Sequence, residues 1–348
     1  MAGASCARVL ADAGCQVQLF DKSRGVGGRL STRRAGWTTA DGAECVARFD
    51  HGALGFSAQA SGFVRLVEQA ADAGVLARWA PRIALGSHVP LDGPSLWVPT
   101  PDMPALCRWL LAGLPVQVNC TIDALRRGED GWTLESGGAV VGEGFQCVVV
   151  AIPPRQAAAL VQPHRPDWAQ RALALPMLPA WALMGITLDE EGQDGWELAW
   201  PRSGPLATVV RNDAKPGRER TPGLAHWVVH ATAEWSQTHL ESPAAEVQAG
   251  LQAALQAWLR RPLLWQHVAV HRWRYATLAR ASASPVPGGA RCWWDAASGL
   301  GTCGDALGGA GVEGAWSSGR ALAGLLIDDP LAPPGHGPMA GSSVRGVA

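Results

Sequence analysis

At 348 residues the chain can bury a large core, in two domains or one elaborated domain. Its 29 basic and 30 acidic residues nearly cancel, so it offers no electrostatic footprint for nucleic acid or an anionic membrane surface. No run of 18 apolar residues occurs and the first residues lack a basic region followed by an apolar one, so no membrane span or secretion signal is expected and the expected location is cytoplasmic.

From the N-terminus, Ala7 and Leu10 share one face of a helix predicted over about residues 3 to 13, and Gly14 suits the position just past its end. The spacing Gly3, Ala7, Leu10, Gly14, Asp21 fits the back half of a G-x-G-x-x-G dinucleotide fingerprint. Gly3 is then the third glycine, where a bare hydrogen lets the helix pack on the sheet. On this reading the first two glycines and the strand before them precede Met1. Val17, Leu19 and Phe20 form an apolar strand ending at Asp21-Lys22-Ser23-Arg24-Gly25-Val26-Gly27-Gly28-Arg29. A carboxylate at such a strand end accepts hydrogen bonds from a ribose hydroxyl pair. Glycines such as Gly28 let backbone approach a pyrophosphate, and Arg29 offers a fork of donors to its oxygens.

A polar stretch then leads to Phe49-Asp50-His51-Gly52-Ala53. Residues 61 to 73 read as a helix closed by Gly74, and Pro101 and Pro104 bracket the start of another. Short strands are predicted at Val116/Val118, Thr121–Leu125 and Trp132–Leu134. The apolar run Cys147–Ile152, ended by Pro153-Pro154, reads as a strand buried on both faces of a parallel sheet. Residues 180–188, 196–211 and 225–233 alternate like strands of a second, partly exposed sheet. A helix is predicted over 242 to 260, with Ser242 as N-cap and Pro243 at the first helical position. The segment from about residue 331 is expected to be a disordered tail.

Near the C-terminus a strand-like Gly301-Thr302-Cys303 runs into the loop Gly304-Asp305-Ala306-Leu307-Gly308-Gly309-Ala310-Gly311 and then a helix. Asp305 is placed to bond a hydroxyl of a ribityl chain. The helix start at Val312 and Glu313 aims backbone N–H groups and the positive end of the helix dipole at an electron-accepting ring. The eight cysteines are dispersed without C-x-x-C, so zinc and disulfide readings are poor. The pairs His226/His230 and His267/His271 have zinc-like spacing but lie in strand-like text without the accompanying glutamate, so no metal is expected. His51 and Tyr275 (the only tyrosine) are the candidate catalytic residues.

Together these islands resemble the renalase family, within the flavin-dependent amine-oxidase-like proteins. The matching text is Phe20–Arg29 with Thr32-Arg33-Arg34; Phe49–Ala53; Val148–Pro154 with Gln156-Ala157; His271-Arg272-Trp273 with Tyr275-Ala276; and Gly304-Asp305 through Trp316 with Ser318-Gly319. The resemblance implies an α/β protein: a discontinuous Rossmann-type FAD domain (1–60, 105–160, 285–330) and a smaller α+β substrate domain with a mixed or antiparallel sheet (61–104, 161–284). It implies FAD held by Gly3, Asp21, Lys22, Gly28, Arg29, Gly304, Asp305, Val312 and Glu313, with Ile122 near the adenine. It further implies hydride transfer from a small reduced substrate, a dihydronicotinamide nucleotide or an amine, to flavin N5, with oxygen as acceptor and peroxide as product. An enzyme passing electrons to another acceptor, and a non-catalytic member of the fold, are the alternatives. Two departures stand out: Leu54-Gly55-Phe56 replaces a glutamine–tyrosine pair of relatives, and neither Lys22 nor Lys215 occupies the context of the lysine that amine oxidases hold beside the flavin.

Overall fold

The computed structural model describes residues 1–38, 42–88, 95–189, 195–279 and 290–328, so the expected tail at 331–348 lies outside the described residues. The first elements are α1 (Ala2–Asp12), β1 (Leu19–Phe20), β2 (Arg33–Thr38), β3 (Glu44–Phe49), α2 (Ser61–Asp72), β4 (Leu76–Trp79), β5 (Leu96–Pro99) and α3 (Ala105–Leu110). There follow β6 (Val116–Gln117), β7 (Ala124–Gly128), β8 (Gly131–Ser136), β9 (Ala139–Phe145), β10 (Val148–Val150), α4 (Pro154–Val161) and α5 (Pro166–Ala174). The rest is β11 (Met177–Leu188), β12 (Leu198–Ala199), β13 (Leu206–Arg211), β14 (Leu224–Ala231), α6 (Ala233–Thr238), α7 (Ala244–Leu259), β15 (Trp265–Leu278), β16 (Trp293–Asp295), β17 (Leu300–Thr302), α8 (Asp305–Gly308) and α9 (Gly311–Asp328).

The chain divides into two compact units. The first comprises the described residues of Met1–Gly28, Cys107–Pro176 and Leu278–Ala348; the second comprises those of Arg29–Leu106 and Met177–Thr277. In the first unit β1 pairs in parallel with β6, and β10 in parallel with β17, which carries β16 antiparallel on its other edge. Val148, Val149 and Val150 are all buried, as a strand covered on both faces requires. Helices α1 and α9 pack closely, because Gly319 presents no side chain: a Cβ there would stand 2.1 Å from the Ala2 carbonyl oxygen. β7, β8 and β9 form an antiparallel meander. The strand expected at Thr121–Leu125 begins later, at Ala124, where pairing to β8 begins. β9 escapes a sequence reading because Gly142 and Gly144 interrupt its pattern. A Cβ on Gly142 would meet the Phe145 ring at 2.7 Å, so the glycine makes room for the core that Phe145 and Phe20 share.

The second unit is built on an antiparallel five-stranded sheet of order β12-β13-β14-β11-β15. Its central strands do not alternate as expected. β11 and β14 are buried almost throughout, because α6 and α7 pack on the sheet and β3 lies against β14. The predicted strand at 196–211 is broken at residues 200–205 into β12 and β13. Ser242 is not the cap of α7; Pro243 occupies that position and makes no side-chain cap. Val247, Leu251 and Leu255 do face inward, each fully buried.

Candidate functional site

In the first unit, the residues singled out from the sequence cluster at strand ends and helix starts. Asp21 follows β1, and the backbone bonds Asp21 N to Gln117 O (2.9 Å) and Cys120 N to Asp21 O (3.0 Å) fix it on both sides. Its Oδ1 accepts from Ser23 N at 2.8 Å, which turns the chain after β1. Gly27 and Gly28 take left-handed conformations (φ 123° and 57°) that side chains disfavour. Lys22 and Gly28 are exposed, Gly3 is half-buried in the first turn of α1, and Ile122 packs at the edge of the core.

The second glycine loop follows β17. Gly304 N donates to Ser318 Oγ at 2.9 Å, and Ser318, itself fully buried, donates to the Arg291 carbonyl at 2.6 Å. Asp305 is buried at the start of α8; Val312 and Glu313 occupy the first turn of α9, as expected. Such first-turn N–H groups have no partner within their own helix. A cavity of about 340 Å³ also lies in this unit, lined by Leu10, Cys15, Cys147, Trp294, Gly299 and Leu326 among others. Cys147 and Gly299 precede β10 and β17, so it sits at the amino ends of these strands. Nucleotide ligands of open α/β sheets bind at the carboxyl ends, and none of Gly3, Asp21, Gly28, Asp305, Val312 and Glu313 lines the cavity.

The second unit holds Arg29, His51 and Tyr275. Arg29 is half-buried and donates from Nη1 to the Ala276 carbonyl at 3.1 Å. Its own carbonyl accepts from Ala53 N at 2.9 Å, so close that a Cβ on Gly52 would stand 2.0 Å from it. Beside this turn lies a buried ionic cluster that the sequence reading did not find. Asp50 is fully buried. Its Oδ1 accepts from Thr32 Oγ1 (2.6 Å), and its Oδ2 accepts from Lys215 Nζ and from Arg218 Nη2 and Nε (2.7 and 3.0 Å). Burial alone raises a carboxyl pKa, but the Lys215 and Arg218 charges with these hydrogen bonds hold Asp50 below its ordinary value. Burial pushes Lys215 the other way, down to about 8; Asp50 opposes the shift and Arg218 adds to it.

His51 follows directly. Its carbonyl oxygen accepts from Trp273 Nε1 (2.9 Å) and pairs with His230 Nε2 (3.0 Å). Its ring lies against His271 and Trp273, with centroids 4.7 and 5.1 Å away. The residue is only 6% exposed, and Nδ1 has no hydrogen-bond partner. Burial, helped by His271, lowers its pKa to about 4, although the Phe49 carbonyl works in the opposite direction. The ring is therefore neutral at physiological pH. Tyr275 is half-buried in β15, and no hydrogen bond joins it to this cluster. His226 and His230 lie on β14 and His267 and His271 on β15; among the described residues no group of three or more ligands is arranged for a metal.

Residues 82–327 match the family described as flavin containing amine oxidoreductase, and residues 1–70 match an NAD(P)-binding Rossmann-like domain. Similar solved structures include a protein described as a protoporphyrinogen oxidase from Exiguobacterium sp. 255-15 (TM-score 0.68, 10% identity, 93% of this chain and 96% of that one). Cyclohexylamine oxidase from Brevibacterium oxydans IH-35A is another (TM-score 0.58, 12% identity, 93% and 96%). A redesigned putrescine oxidase is a third (TM-score 0.55, 14% identity, 94% and 96%). At these identities the likeness is one of fold.

Proposed function

Starting from the premise that the chain belongs to the flavin containing amine oxidoreductase family and is an FAD-dependent oxidoreductase, we propose that it is a renalase-like oxidase of a dihydronicotinamide nucleotide. The residues of the first unit fit the cofactor. Asp21 Oδ2 suits a ribose hydroxyl and Asp305 a ribityl hydroxyl, and the first turn of α9 directs the positive end of the helix dipole outward. A Cβ on Gly28 or Gly304 would meet nothing within 4 Å, so both glycines leave open space where backbone can approach a ligand. Bound FAD supplies a hydride acceptor at N5, which no side chain can provide.

The observation that carries the substrate reading is the His51 ring. A buried nitrogen without a partner is costly unless a ligand completes it. A neutral imidazole can bond a carboxamide, and the neighbouring His271 and Trp273 rings offer faces to a flat heterocycle. An alkylammonium would seek a carboxylate, and the one in this cluster, Asp50, is already taken by two cations. The experiment is aerobic turnover with isomeric dihydronicotinamide nucleotides and with primary amines. Near-stoichiometric peroxide from a dihydronicotinamide is expected. Turnover only with a dye as acceptor would replace the oxidase reading with a dehydrogenase one, and turnover of amines alone would overturn the substrate class.

Two predictions arise here. Asp21→Ala removes a charge-assisted acceptor and is expected to raise the FAD dissociation constant about tenfold to a hundredfold, measured by quenching of flavin fluorescence. His51→Ala is expected to slow flavin reduction about tenfold or more with FAD content unchanged; an unchanged rate would remove His51 from the site.

A further inference from the structure

Asp50 is gripped by one short segment. Asn212 Oδ1 accepts from Asp50 N at 3.1 Å while its amide donates to the Arg48 carbonyl at 2.9 Å. Asn212–Ala214 form a single 3₁₀ turn, and Lys215 follows it with its side chain entirely buried. Gly217, at φ 71°, then turns the chain so that Arg218 returns to the same carboxylate oxygen, its Nη1 also donating to the Pro99 (2.7 Å) and Pro216 (2.9 Å) carbonyls. Asn212, Lys215 and Arg218 thus hold both the backbone and the side chain of Asp50. The next peptides are held as well. His51 N donates to the Phe49 carbonyl (3.0 Å), the His51 carbonyl takes the two ring nitrogens already described, and Ala53 N is bonded to Arg29.

We propose that Lys215 is a positioning residue: by completing the grip on Asp50 it fixes the backbone from which the His51 ring meets the substrate. This rests on the reading of His51 given above. Arg218 and Thr32 already satisfy Asp50, so Lys215 brings a second cation into a site with one carboxylate. The charged and titratable groups around its ammonium are Asp50 directly after β3, Arg218 of its own segment and His230 of β14; its other neighbours are the Met103 sulfur at 3.8 Å and the Trp79 ring at 5.9 Å. Burial brings Lys215 down to about 8, within reach of an alkaline titration. When it loses its proton, the grip relaxes without leaving Asp50 unpaired.

Two measurements on the whole chain test this. In the first, flavin reduction by a dihydronicotinamide is followed without oxygen across about pH 6 to 10 in FAD-loaded wild type, Lys215→Met and Lys215→Arg. Wild type is expected to slow above about pH 8. Lys215→Met is expected to be about tenfold slower at pH 7 and flat through the alkaline range, and Lys215→Arg to regain rate at pH 7 and lose the alkaline fall. A wild-type pH profile in Lys215→Met overturns the proposal. In the second, the chain carries ¹⁵N-labelled histidine, and the His51 signal is identified as the one missing from His51→Gln. That signal is expected to shift between about pH 7 and 9 in wild type, with or without FAD. A signal that stays still overturns the proposal even if no lysine variant folds. Should His51→Ala reduce flavin at the wild-type rate, the reading of His51 fails instead, while the second measurement still reports the coupling.

Discussion

Asp50→Ala is expected to be the most destabilising single substitution in the second unit. It strands Lys215 and Arg218, whose side chains are 0% and 3% exposed, without their counter-ion. Breaking a buried ion pair by removing one partner costs about 3–5 kcal/mol, because the remaining charge stays out of water. For a unit of this size the melting temperature should fall by on the order of 10 °C. Asp50→Asn keeps the shape and one acceptor and should fall between. The pH dependence follows from the direction of each shift. Asp50 has a folded pKa below its ordinary value, so its contribution is complete above about pH 4 and is lost as pH falls through the folded value. The gap between wild type and Asp50→Ala should therefore narrow in acid. Lys215 also titrates lower in the folded chain, at about 8 rather than 10.5. Between these values the unfolded chain holds more protons, so stability rises with pH. Lys215→Met should remove that rise. Melting curves at several pH values check all three, and an Asp50→Ala protein melting within about 2 °C of wild type would contradict the account of the cluster.

Gly314→Ala is expected to remove FAD from the protein. A Cβ at Gly314 would stand 1.5 Å from the Gly309 carbonyl oxygen and 2.3 Å from its carbon, both backbone atoms that no rotamer change can move aside. Gly308 repeats the constraint from the other side, where a Cβ would meet the Gly314 oxygen at 2.1 Å. The loop from Gly304 to the first turn of α9 is thus folded on itself with no room for a methyl group. Displacing it disturbs Asp305, Val312 and Glu313 together, and FAD retained on purification should fall at least about tenfold. Gly324→Ala in the same helix is the control. A Cβ there meets nothing within 4 Å, and alanine is the better helix former by about 1 kcal/mol. It should keep its flavin and melt no lower than wild type. A Gly314→Ala protein that purifies with wild-type flavin content would show that this loop does not hold the cofactor.

What the sequence disclosed, and what it hid, follows from the range of the interactions. α1, α2 and the buried strand β10 were legible because their apolar spacing and the glycines or prolines that close them are local signals. So were the two glycine-rich segments, whose residues the fold places at strand ends and helix starts. The β2–β3 hairpin was read only as a polar stretch, because its faces are largely exposed and offer little periodicity. The near-continuous burial of β11 and β14 depends on helices far along the chain, which no alternation within a strand reports. The Asp50 cluster was hidden for the same reason: Thr32, Asp50, Lys215 and Arg218 meet from three separate segments. One signal pointed to it. In a chain where lysine occurs only at 22 and 215 and arginine supplies the other positive charges, a lysine in Asn212-Asp213-Ala214-Lys215-Pro216-Gly217-Arg218 invites the question why arginine does not serve there. The structure answers that the side chain has no access to solvent and lies beside Met103 and Trp79, where burial brings an ammonium close to losing its proton, as it does not a guanidinium.

The most direct test of the central claim is the visible spectrum of the FAD-loaded chain, mixed without oxygen with a dihydronicotinamide nucleotide. Oxidised-flavin bands near about 370 and 450 nm are expected, with the longer-wavelength band bleaching in a single turnover and returning when air is admitted. A chain that stays colourless with excess FAD, or a loaded chain whose bands no dihydronicotinamide bleaches, would contradict that claim.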